Sequence, residues 1–137
     1  MENQNKQQTK SHSLTSEFIP YEQALELKEL GFKEPCFFAF DNCSTPMRCT
    51  DLRTSEQRFN GVNYNSSTYT SQPTFSQAFR WFRENDYINH VLYDNWTFTY
   101  AYEIDGKYHT QDSNFIKYED AELACLNKLI EIVKQKP

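Results

Sequence analysis

The chain has 137 residues, enough to bury one modest core, and 16% aromatic residues against 3 glycines predict a core of large flat side chains. A formal charge of −5 argues against coating nucleic acid by charge alone, while leaving room for a local site. No apolar run reaches membrane-spanning length, and residues 1–10 are polar with no hydrophobic region behind them, so a cytoplasmic protein with reduced cysteines is expected.

Residues 1–17 are rich in Asn, Gln, Lys, Ser and Thr, have little to bury, and read as a disordered tail that includes His12. A single domain is expected over 18–137. Its first helix carries Pro20 in the first turn and Tyr21, Ala24, Leu25, Leu27 and Leu30 along it, stops at Gly31, and has Phe32 placed to pack back on the last turn. The exposed side of that helix presents Glu22, Glu26 and Glu29, a solvated row or a docking surface for a basic partner. Cys36-Phe37-Phe38-Ala39-Phe40 has the length and aromatic content of a buried strand. Residues 41–73 are polar throughout, with Arg48, Arg53 and Arg58 balanced by Asp41, Asp51 and Glu56, and read as a long loop or insertion.

Thr74 and Gln77 have the spacing of a capping box and open a second helix with Phe75, Ala78, Phe79 and Phe82 on one stripe and Asn85 at its end. Arg80, Trp81 and Arg83 lie off the stripe. They could stack on a base and grip phosphate, or cover a neighbouring element with the arginine stems laid along the surface.

A three-stranded meander should follow. Trp96, Phe98, Tyr100, Tyr102 and Ile104 alternate with Thr97, Thr99, Ala101 and Glu103, the period of a half-buried strand. Asp105-Gly106 suits a two-residue hairpin loop and sets Tyr102 opposite His109 and Ile104 opposite Lys107. Asp94-Asn95 can close the other turn, setting Tyr93 opposite Trp96 and Val91 opposite Phe98. Both turns place the aromatic set on one face. The cover for that face is residues 117–134, where Ala121, Cys125, Leu126, Leu129, Ile130 and Val133 recur at helical spacing, with acids early and lysines late as the helix dipole prefers.

Candidates for chemistry are few. Cys36, Cys43 and Cys49 lack the close pairing of structural zinc ligands, so no metal and no cofactor is expected, and Cys125 reads as a small core residue. His109 beside Tyr100 and Tyr102 could line a small-molecule or catalytic pocket, yet no nucleophile, phosphate loop or paired carboxylates accompany it.

The order helix, three antiparallel strands and a helix opening Tyr118-Glu119-Asp120-Ala121-Glu122-Leu123-Ala124 is similar in topology to the double-stranded-RNA-binding domain. That family opens its last helix with lysines where this chain has Glu119, Asp120 and Glu122, so the resemblance implies a fold and not RNA binding. The runs 18–36, 73–84 and 118–130, which span all three helices, resemble a group of small proteins of gut Bacteroidales and their phages that has no assigned activity. This resemblance implies a mobile-element setting.

The expected fold is α+β, a three-stranded antiparallel meander to which the 36–40 strand can add, with helices packed on one face. The expected function is that of a non-enzymatic phage or mobile-element accessory protein that binds another protein, with Glu22, Glu26 and Glu29 as candidate contacts. The alternatives are a nucleic-acid module using Arg48, Arg53, Arg58, Arg80, Trp81 and Arg83, and a pocket at Tyr100, Tyr102 and His109.

Overall fold

The structure, a computed structural model, describes residues 14–41, 46–48, 60–111 and 114–136. In chain order it has a 3-10 turn (Leu14–Glu17), α1 (Tyr21–Glu29), β1 (Phe38–Asp41), β2 (Pro46–Arg48), β3 (Tyr69–Gln72), α2 (Phe75–Glu84), β4 (Ile88–Asp94), β5 (Thr97–Ile104), β6 (Lys107–Thr110) and α3 (Tyr118–Gln135). The fold is α+β, with two antiparallel sheets ordered β2-β1-β3 and β4-β5-β6. Among the described residues no helix is long and apolar enough to cross a membrane.

The helix ends follow their local chemistry. Gly31, at φ +93°, closes α1: Phe32 N–H donates to Leu27 O at 3.0 Å, Gly31 N–H donates to Lys28 O at 3.1 Å, and Phe32 is buried against the core. Pro20 stands one place earlier than expected, at the N-cap. At α2 the capping box is complete, with Gln77 N–H donating to Thr74 Oγ1 at 3.1 Å and Thr74 N–H donating to Gln77 Oε1 at 3.0 Å. Phe75, Ala78, Phe79 and Phe82 of α2 are buried as their spacing predicts.

The meander's aromatic face is covered by α3, which lies against β5 and β4, while α2 packs on β4 and α3. Tyr100 of β5 joins Phe82, Leu126 and Leu129 in the buried cluster. Burial of each such side chain contributes about 2–3 kcal/mol. Asn89 is the polar exception on this face. It is buried and donates to Phe79 O at 3.3 Å and Tyr87 O at 3.1 Å, so its amide does not remain an unpaired cost. On the opposite face of the meander Ile88, Leu92 and Tyr108 are exposed, while Ala101 is buried.

Three expectations need correction. Tyr102 does pair with His109 and Ile104 with Lys107, but the first turn is centred on Asn95-Trp96 and not Asp94-Asn95, so Tyr93 pairs with Phe98 and Val91 with Tyr100. Apart from Trp96, both loops leave the same residues on the helix side, so alternation cannot choose between them. The observed loop lets every residue of β4 pair, from Ile88↔Glu103 to Asp94↔Thr97, and it moves Trp96 from the covered face into the turn.

Second, residues 41–73 are not all loop. β2 and β3 lie in that range and flank β1, so the 36–40 segment seeds a separate sheet instead of extending the meander. Within it the strand is β1, with Cys36 held by an isolated bridge to Val62 and Phe37 exposed. β3 is Tyr-Thr-Ser-Gln, and its buried Thr70 and Ser71 give no apolar periodicity to read. Hydrogen bonds hold that region instead. Tyr64 N–H donates to Ser71 Oγ at 2.8 Å, Ser71 N–H to Asn65 Oδ1 at 2.8 Å, and Asn65 Nδ2 to Phe32 O at 2.8 Å. Third, residues 14–17 of the expected tail form the 3-10 turn that leads into the Phe18–Thr74 bridge, and the rest of that expectation, over 1–13, lies outside the described residues.

Candidate functional site

Trp96 sits at φ +68°, in the left-handed region, directly after Asn95 at φ +47°. The other non-glycine residues there among those described, Asp86, Asn95 and Asp105, are Asx types that tolerate the conformation. A tryptophan gains nothing comparable from it, and this one is also 88% exposed. The turn is pinned by Thr97 Oγ1, which donates to Asp94 O at 3.0 Å.

Around Trp96 the chain gathers further uncovered apolar groups. Tyr93, 59% exposed, tilts against Phe98 with ring centroids 5.0 Å apart. Phe98 meets Tyr118, 43% exposed, edge to face at 5.7 Å. Beyond β6 the chain rejoins β5, because Phe98 and Phe115 exchange two N–H···O bonds of 2.7 Å, and this places Ile116, 85% exposed, beside the start of β5. The Tyr118 hydroxyl donates to Glu122, and the phenol titrates above its ordinary range, first from burial and then from the carboxylates of Glu122 and Glu119. Glu122 is itself pushed up, by burial first and by the nearby carboxylates of Glu17 and Glu119, with the Tyr118 hydrogen bond opposing. Asp94, Glu119 and Asp120 are exposed around the same end.

The acids of α1 separate. Glu22 and Glu29 are exposed, whereas Glu26 is tied to Lys134 of α3 by an ion pair. Glu22 and Glu26, with Gln23, Asn127, Ile130, Glu131 and Lys134, line a groove of about 480 Å³ between α1 and α3. Gln23 Nε2 donates to Asn127 Oδ1 across it at 3.0 Å.

Trp81 is half-buried and edge-on to Phe32 at 5.9 Å, so it covers a neighbouring element. Arg80 is exposed, and Arg83 Nη1 reaches Asn89 Oδ1 at 3.5 Å. Arg48 ends β2, while Arg53, Arg58, His12, Cys43 and Cys49 lie outside the described residues.

Tyr100 is buried beneath α3 and donates from its hydroxyl to Gln111 Oε1 at 3.2 Å; burial pushes its phenol up. Tyr102 and the exposed His109 stack with centroids 5.0 Å apart. None of the three lines the α1–α3 groove or a second cavity of about 320 Å³ bounded by Asp86, Ile88, Glu103, Asp105 and Gly106. Cys36 and Cys125 are buried thiols whose pKa burial raises to about 12, which keeps them protonated and unreactive at neutral pH. Among the described residues no group of His, Cys, Asp and Glu is placed to hold a metal ion.

The sequence reading missed Trp96, Ile116 and Tyr118 as surface residues. The available signal was Asn95, which suits the first of two left-handed positions in a hairpin loop and so points to Asn95-Trp96 as its centre. The chain matches no family model, no curated protein and no solved structure.

Proposed function

We propose that the chain is a non-enzymatic accessory protein that binds another protein through the hairpin end of the meander, in the mobile-element setting that its resemblance implies. The observation that carries this reading is Trp96, 88% exposed and held at φ +68°. A left-handed conformation costs an ordinary L-residue about 1–2 kcal/mol. Backbone strain of this kind clusters at functional positions, and exposed tryptophan and tyrosine are the side chains that most often dominate binding energy. Tyr93, Ile116 and Tyr118 around it make an apolar surface of the kind that marks interaction sites.

The test is affinity capture from lysate, with and without nuclease, using the wild type and Trp96→Gly. The reading expects a protein retained by the wild type after nuclease and absent from the Trp96→Gly capture. Retention by both forms would refute it. Capture that disappears with nuclease would instead favour nucleic acid, and Arg80 and Arg83 would be changed next.

A further inference from the structure

We infer that the partner segment seated on the hairpin end is basic, an arginine- or lysine-bearing stretch with apolar side chains. This rests on the function proposed above and adds the chemistry of the partner.

The stretches that build the surface, residues 93–98 and 114–122, contain the acids Asp94, Glu119, Asp120 and Glu122 and a single base, Lys117. Acids in the first turn of α3 suit its dipole, which accounts for Glu119 and Asp120 without any ligand. It does not account for Asp94, which comes from the hairpin, or for Glu17, which approaches Glu122 from the N-terminal turn.

Elsewhere among the described residues, the two acidic cavities have a cation close by. In the α1–α3 groove Lys134 pairs with Glu26 and Lys128 with Glu131 at 3.2 Å. At the second cavity Lys136 lies 5.0 Å from the centre of the Tyr87 ring, and the charges of Asp105 and Asp86 act on it. At the hairpin end, among the described residues, Asp94, Glu119, Asp120 and Glu122 form no ion pair. A guanidinium arriving there would find exposed rings for cation–π contact and carboxylates for charge-assisted hydrogen bonds. An acidic segment would meet uncompensated like charge.

The experiment keeps Trp96 and replaces the exposed Lys117, beside it on the same surface, with the photo-crosslinker p-benzoylphenylalanine in the full chain, irradiates nuclease-treated lysate, digests with a protease that cuts at acidic residues, and identifies the crosslinked peptide by mass spectrometry. The expected segment carries a net positive charge. The same crosslinker chain with Asp94→Asn, Glu119→Gln and Asp120→Asn should give a yield lower by roughly tenfold, whereas Glu22→Gln with Glu29→Gln should leave it unchanged. A neutral or acidic crosslinked segment, or a yield indifferent to the first set of changes, overturns the inference while the proposed function stands. If no protein is crosslinked at position 117, the proposed function falls and the inference falls with it.

Discussion

Replacing Trp96 by glycine and, separately, by alanine isolates the backbone of the hairpin from its side chain. Both changes remove an indole that is 88% exposed, so the two variants lose the same small amount of burial. They differ at φ +68°. Alanine keeps the left-handed penalty of about 1–2 kcal/mol, which glycine does not pay. Glycine has the more flexible unfolded chain, which costs about 0.4–1 kcal/mol in the opposite sense. The difference leaves Trp96→Gly more stable than Trp96→Ala by about 1 kcal/mol, or roughly 4 °C in Tm. Elsewhere in a strand or helix the order is reversed, with alanine ahead by about 0.5–1 kcal/mol, so the sign decides the matter. Urea and thermal unfolding followed by circular dichroism read the difference directly. If alanine equals or exceeds glycine, the loop is not centred on Asn95-Trp96. If Trp96→Ala also costs several kcal/mol, Trp96 is a packed strand residue, and the exposed surface built around it does not exist.

Further predictions concern other parts of the molecule. Glu122 has a folded pKa raised above its ordinary value, so the folded state holds its proton more tightly and the associated stability is present at low pH and lost as pH rises through the folded pKa. Glu122→Gln should therefore stabilise the protein at pH 7, with the advantage vanishing below the ordinary glutamate range in a pH series of unfolding midpoints. Thr74→Ala removes the acceptor for Gln77 N–H and should cost about 1 kcal/mol in urea unfolding, with Thr74→Ser nearly neutral. Gly61→Ala would put a Cβ 3.0 Å from Cys36 O at φ +72° and should cost about 2 kcal/mol or more. Gly106→Ala, at φ +73° with open space around it, should cost only about 1 kcal/mol, so equal losses in paired denaturation curves would contradict the close approach at Cys36.

What could be read in advance was what local chemistry fixes by itself. Thr74 with Gln77, Gly31 with Phe32, and the stripe from Ala121 to Ile130 each specify a helix end or a helix face without reference to distant residues. The Asp105-Gly106 turn likewise set the β5–β6 register. The second sheet was hidden because its buried positions include Thr70 and Ser71, and part of what holds the region is the Asn65 amide bonding to Phe32, with β1 and β2 between them in sequence. The hairpin end was hidden for a different reason. Trp96 fits the alternation of β5, and two loops of equal length give the same face, so only pairing along the whole of β4 moves it outward. Glu22 and Glu26 were visible as acids, but the lysine that ties Glu26 comes from α3, more than a hundred residues along the chain.

The most direct test of the account is amide hydrogen exchange of the wild type with and without its captured partner. The account predicts new protection at residues 93–98 and 114–120, with α1 and the exposed side of α2 unchanged. Protection confined to residues 21–29 or to the Arg80–Arg83 side of α2, with the hairpin end exchanging as in the free protein, would contradict it.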